Sequence, residues 1–303
     1  MEYTVSASVF ASFWTFASAD LFEAMTELAL YGVLVVLVAF AAALLCRPRA
    51  GRTPVLAIST VLMFVLATVQ LAARLRATAS AFQVFYLAVQ GQFTPQSPAA
   101  NGAMAQYIGY NFAEDILLVT NNIVTDGLLI YRCFLIWDRN RYIVVVPTLM
   151  LLLTAILSYL SAYEGDYPTA AGPSVPLPVG FSLGLLTNIV LVGLTAGRIL
   201  YTRFKLRGLQ NHEARRYNTA AAMITESGAI VCAWTVVYVI VRSLSPPTVW
   251  RIFRGGLAQI LNIVPILIVV RVGLGHSLQG TETQNKTLTD EKWKAKTSAS
   301  SEV

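Results

Sequence analysis

The chain reads as an all-α membrane protein, a bundle of seven transmembrane helices with its amino terminus outside and its carboxyl terminus in the cytoplasm. Three features lead there. Of 303 residues, 56% are apolar and 13% charged, where a soluble domain carries about a quarter charged. Seven stretches match the about 20 helical residues needed to cross a hydrocarbon core about 30 Å thick. Lys and Arg fall mostly on one side of those stretches. The same composition excludes other classes. So few charges could not cover soluble domains, and a disordered chain needs low hydrophobicity with high charge. Three cysteines are too few for a disulfide scaffold.

The segments, in order, are Leu21–Leu45, Pro54–Ala73, Asn111–Trp137, Ile143–Tyr163, Val179–Tyr201, Thr219–Val241 and Gly255–Leu274. Each must be helical, because a bilayer offers the backbone no water to bond. No strand-period alternation runs through them, which sets a β-barrel aside. Residues 1–20 are read as an uncleaved outer segment. Val5–Phe16 is too short to span, and Glu2 stands where a signal peptide needs positive charge, although Ala17-Ser18-Ala19 resembles a cleavage site. The long Arg74–Tyr110 connection contains Ala79–Val89, which either extends helix two outward or lies along the interface. Four prolines make Tyr163–Pro178 a loop. Residues 21–275 thus form the membrane domain, and the polar residues 276–303 a flexible cytoplasmic tail. No internal repeat is visible, which argues against a transporter of inverted halves.

Loops held in the cytoplasm are enriched in Lys and Arg. The first, third and fifth loops with the tail hold 17 such residues; the other side holds 5, namely Arg74, Arg76, Arg242, Arg251 and Arg254. The formal net charge of +6 therefore divides into a strongly positive inner face and a slightly negative outer one. The single N-glycosylation sequon, Asn285-Lys286-Thr287, lies in the tail, so sugar on Asn285 would overturn this orientation.

Ionisable residues deep in a span are costly and mark function by default. Asp126 lies near the middle of helix three, with Asn122 one turn before it on the same face and Asn121 adjacent. Asn262 and Pro265 lie near the middle of helix seven. Glu226 sits about 10 Å into helix six, at a depth similar to that of Arg132 and Arg271 near the cytoplasmic ends of helices three and seven. Two levels follow. Asp126, Asn122 and Asn262 would line an inner cavity for ligand, water or an ion. Glu226 would pair with Arg132 or Arg271, and breaking the pair would free helix six to move. The plainer alternative is that these groups satisfy one another and fix packing, while the arginines snorkel to headgroups.

Other chemistry finds little support. Gly180-Phe181-Ser182-Leu183-Gly184 fits the G-x-S-x-G nucleophile pattern, but the two histidines, His212 and His276, lie on the opposite side. This stretch and Gly193–Gly197 also fit G-x-x-x-G, and close helix contact is the use assigned to both. Two histidines do not supply the three a membrane zinc site usually needs. No lysine lies in a span, which excludes a retinal Schiff base, and there is no P-loop or cofactor fingerprint. The chain is expected to be no enzyme, with no metal and no cofactor. Asp138-Arg139, ahead of Asn140-Arg141-Tyr142, is read as interfacial charge and not as the Asp-Arg-Tyr of rhodopsin-like receptors. Helix seven lacks Asn-Pro-x-x-Tyr, and the outer loops lack cysteine. Cys46, beside Arg47 and Arg49, is either a palmitoylation site or a buried thiol. Cys133 and Cys232 are packing residues. The basic loop 202–218 attracts anionic lipid or offers a surface to a cytoplasmic partner. Charges confined to the membrane flanks leave no surface for nucleic acid.

Three stretches carry a family resemblance: the run Asn122 to Trp137 (NIVTDGLLIYRCFLIW), the run Thr225-Glu226-Ser227-Gly228-Ala229, and the run Pro265 to Gly275 (PILIVVRVGLG). With them the chain resembles seven-helix integral membrane proteins of mushroom-forming (basidiomycete) fungi, over most of the spanning region but not the tail or outer loops. The resemblance implies seven helices and places Asp126, Arg132, Glu226 and Arg271 in recurring motifs. It brings no ligand and no reaction. The expected function is receptor-like and at the plasma membrane. An outer or membrane-borne ligand would bias the packing of helices three, six and seven, and the basic inner loops would report it, in one form to a G protein. The alternative is a small transporter or channel using Asp126 as a proton or cation site. An intramembrane enzyme is disfavoured by the absence of membrane histidine and of a paired carboxylate site.

Overall fold

In the computed structural model, which describes residues 7–45, 54–94, 96–166, 177–205, 211–246 and 248–271, the regular elements are all α-helices. They are α1 (Ala7–Leu45), α2 (Pro54–Val89), α3 (Pro98–Ile136), α4 (Arg141–Asp166), α5 (Leu177–Lys205) and α6 (Asn211–Leu244), and α7 (Thr248–Arg271). Each helix packs on the next from α1 to α6, and α5 also touches α3. The seventh closes the ring. Leu257, Leu261, Val264 and Ile268 of α7 meet Leu118 of α3 and Val231 and Tyr238 of α6. Ile266, Val269 and Val270 of α7 meet Leu34 and Ala41 of α1 and Ala67 of α2. Helix α7 is therefore the centre of the bundle, 78% buried over its most apolar window against 11% for α4.

The polarity of the bundle is inverted relative to a soluble protein. Asp20, Glu23, Glu27, Gln70, Arg74, Glu114, Asn121, Asp126, Gln259 and Asn262 are buried, while Val36, Phe40, Ile58, Val61, Leu149 and Ile156 are exposed. Contiguous apolar surface of this extent suits lipid and not water. Among the described residues, four helices are long and apolar enough to cross a membrane: Ala7–Leu44, Ala57–Val89, Arg141–Tyr163 and Thr248–Arg271. Ser182–Arg198 and Gly228–Leu244 are shorter apolar stretches of α5 and α6. The apolar run of α3 is broken by Glu114, Asp115, Asn121, Asn122 and Asp126.

Helix lengths differ from the sequence expectation in one consistent way. Residues 7–20 are not a separate segment but the first turns of α1. Ala79–Val89 extends α2, and α3 already begins at Pro98, where the Ser97 side chain accepts from the Ala100 N–H at 3.4 Å. Helix α7 begins at Thr248, seven residues before the expected Gly255. Hydropathy falls at these places because small, polar or charged residues enter, and of the charged ones Asp20, Arg74, Arg251 and Arg254 form ion pairs inside the bundle. The expected basic loop 202–218 is largely helical backbone, since α5 runs to Lys205 and α6 starts at Asn211. Cys46, the tail 276–303 and the end of the seventh span lie outside the described residues.

Asp138-Arg139 has a structural task beyond interfacial charge. Both residues are left-handed, at φ 56° and 61°. The Arg139 N–H donates to Phe134 O at 3.0 Å and the Asp138 N–H to Leu135 O at 3.3 Å. This is a Schellman stop for α3, built without the usual glycine. Asp138→Gly is expected to raise stability by up to about 1 kcal/mol, because a Cβ is disfavoured there. Thermal unfolding in detergent would show it, and an unchanged or lowered midpoint would contradict it.

Candidate functional site

Towards the amino-terminal end of the bundle, four helices converge on a buried ionic cluster. Helix α1 contributes Asp20, Glu23 and Glu27, spaced three and four apart on one face. Helix α2 contributes Arg74, α3 contributes Tyr107, Asn111, Glu114 and Asp115, and α7 contributes Arg251, Arg254 and Gln259. The Arg74 guanidinium is fully buried and central. Its Nη1 lies 3.3 Å from Asp20 Oδ1 and 3.3 Å from Asn111 Oδ1, its Nη2 lies 3.2 Å from Glu23 Oε1, and it contacts Glu114. Arg254 reaches Glu23 at 2.8 Å and Glu114 at 2.9 Å, and pairs with Asp115. Arg251 pairs with Asp20 Oδ2 at 2.5 Å, and the Tyr107 hydroxyl donates to the same oxygen, 3.0 Å away.

Small residues make this convergence possible. A Cβ on Gly255 would lie 2.5 Å from the Glu23 carbonyl oxygen, and one on Gly256 would run into the Trp234 ring. The glycine pair lets α7 lie tightly between α1 and α6 directly after Arg254. The Trp234 indole N–H donates to Phe253 O at 3.0 Å and fixes the α6–α7 contact. Of the glycines singled out in the sequence, Gly180 and Gly184 do face α4, at Ser158 and Thr154, whereas a Cβ on Gly193 or Gly197 would meet nothing within 4 Å.

Polar groups continue from the cluster towards the bundle centre. Gln259 Nε2 donates to Glu27 Oε1 at 3.0 Å. Gln70, one turn from Arg74 on the same face of α2, and Asn121, two turns beyond Glu114 on α3, are fully buried, and neither amide has a hydrogen-bond partner. Asn122 Nδ2 donates to Asp126 Oδ2 at 3.1 Å, and Asp126 is fully buried with Oδ1 unbonded. The Thr125 hydroxyl donates to Leu261 O at 3.3 Å, which sets Asp126 level with Asn262. From Tyr107 to Asp126 this polar column runs about 28 Å along α3 at the helical rise.

A cavity of about 60 Å³ lies beside the column. Helices α3 to α7 line it, with Leu118, Val119, Ala155, Ala162, Leu185 and Leu257 among its apolar walls. Its polar groups include Asp115, at the Arg254 end, and Asn122, at the Asp126 end, with Thr154, Ser158, Ser161, Asn188 and Thr235 besides.

The sequence-predicted residues divide accordingly. Asn122 and Asp126 meet as the spacing indicated. Of the three residues expected to line an inner cavity, Asn122 lines this one, while Asp126 and Asn262 are not among its lining residues. Asn262 instead donates to Ala258 O at 3.1 Å inside its own helix. Arg132 is half-buried, and none of the described carboxylates pairs with it. Arg271 is half-buried at the end of α7. Glu226 belongs to α6, but its side chain lies outside the described residues, as does its expected pairing. The ionic cluster was missed. In the sequence its arginines read as loop or helix-end charges, and nothing there marks carboxylates that share a guanidinium. The available signal was the stripe Asp20, Glu23, Glu27 on an otherwise apolar helix, matched by Tyr107, Asn111 and Glu114 at the same spacing. No family model, curated protein or solved structure matches the chain.

Proposed function

We propose that the chain is a receptor-like protein of the plasma membrane, its seven helices all spanning, its amino terminus outside, and its ligand small and mostly apolar. The orientation rests on the distribution of Lys and Arg. The observation that carries the ligand is the cavity: its apolar walls, with a polar group towards each end, suit a small molecule. Its two polar ends are tied to the two buried charged features, Asp115 to Arg254 and Asn122 to Asp126. A ligand that bonds either end competes with those pairs and biases α7 against α3, a differential contact of the kind a switch requires.

Ala155→Phe places a ring in the cavity without touching either polar end. Cells displaying the wild-type chain would be exposed to a panel of small apolar compounds bearing one or two polar groups, with second messengers recorded. At equal surface amount the variant is expected to lose the response. A response that persists in Ala155→Phe would overturn the assignment of the cavity.

The polar column favours one second reading, a small transporter or channel with Asp126 as its proton or cation site. Ion flux into vesicles holding the purified protein, abolished in Asp126→Asn, would favour that reading over the first.

A further inference from the structure

We infer that the floor of the ionic cluster binds a monovalent cation of sodium's size, held by Glu27, Gln259 and Gln70. Two independent observations meet there. The first is charge. The cluster sets five carboxylates against three guanidiniums, a formal excess of two negative charges. Glu27 is the least compensated of the five. Its nearest guanidinium atom is Arg74 Nε at 3.9 Å, and its Oε2 accepts no hydrogen bond.

The second is a set of amide oxygens with nothing to bond. Gln259 gives its N–H to Glu27, which places its own Oε1 beside that carboxylate, buried and unpartnered. Gln70 is fully buried with both amide atoms unpartnered. The Tyr31–Thr68 hydroxyl bond of 2.8 Å and the Arg74–Asp20 pair fix the α1–α2 register and bring Gln70 level with Glu27. An orphaned buried amide costs about 1–3 kcal/mol, and an apolar residue of the same shape would remove that cost. Buried amide oxygens at the level of an under-compensated carboxylate are what a hard cation takes as ligands. One free carboxylate oxygen with neutral amides, next to a guanidinium, suits a single positive charge better than a double one. A proton on Glu27 would remove the charge but leave the amide oxygens largely unanswered. The site lies among α1, α2 and α7, away from the cavity, and stands or falls apart from the ligand reading.

The test is thermal unfolding of the full-length protein in detergent, with sodium exchanged for choline at constant ionic strength. Sodium is expected to raise the midpoint saturably, and Glu27→Gln to abolish that dependence. Gln70→Leu is expected to raise the midpoint in choline, where the orphaned amide is a liability, yet to raise the half-saturating sodium concentration at least tenfold. Should Glu27→Gln fail to purify, the wild-type titration and Gln70→Leu decide. Equal midpoints in sodium and choline would overturn the site, as would sodium dependence retained in Glu27→Gln. A midpoint that follows pH and ignores sodium would assign a proton to Glu27 instead.

Discussion

Arg74→Gln is expected to leave little or no folded protein, with a loss of about 3–5 kcal/mol or more, the cost of removing one partner from a buried charge network. The reason is the number of carboxylates that depend on one guanidinium. Asp20, Glu23, Glu27 and Glu114 all lie against Arg74, and all are buried. Without it their charge faces only Arg251 and Arg254. Arg74→Lys is expected to rescue partially at most, since a point ammonium cannot reproduce the planar fork that reaches several carboxylates at once. Arg76→Gln is the control: two residues along the same helix, Arg76 is exposed, and its loss is expected to be nearly neutral. Glu27→Gln should differ in sign, because it lowers the negative excess. Surface amount and thermal unfolding of the four variants would check this order. An Arg74→Gln protein as stable as Arg76→Gln would show that the cluster does not hold the bundle together.

The same residues explain which parts of the fold were legible in the sequence. Long apolar runs marked the seven helices because lipid-facing positions must be apolar all along a span. The ends were not legible at α1, α2, α3 and α7. A hydropathy window averages over all faces of a helix, whereas Asp20, Arg74 and Arg254 occupy inward faces and are neutralised across them. Read one segment at a time, each is a charge that ought to lie in a loop. Their partners come from helices far apart in sequence, which no local pattern encodes. The Asn122–Asp126 bond was legible because both residues lie on one helix, one turn apart. Asn262 and Asp126 were legible as residues of similar depth, but depth does not give side-chain direction: Asn262 turns back to Ala258.

Asn122→Leu is expected to destabilise the protein more than Asn122→Leu combined with Asp126→Leu. Among the described residues Asn122 supplies the one hydrogen bond that Asp126 receives, and Asp126 is fully buried. Removing the amide alone strands a carboxylate group in the bundle centre, at a cost of about 1–3 kcal/mol, and more if the group is ionised. Removing both leaves apolar contacts and no stranded group, which is often neutral or stabilising. The cycle therefore separates structure from function, because stability and response should part company. A double variant that is stable and reaches the surface, yet gives neither a ligand response nor an ion flux, would place the pair in the working machinery. A double variant that responds like wild type would reduce Asn122 and Asp126 to a packing contact between α3 and its neighbours. The measurement matters because Asn122 is where the cavity and the polar column touch: it lines the first and bonds the second. A ligand that drew the Asn122 amide towards itself would strand Asp126 as the substitution does. Part of its binding energy would then go into loosening the bundle centre.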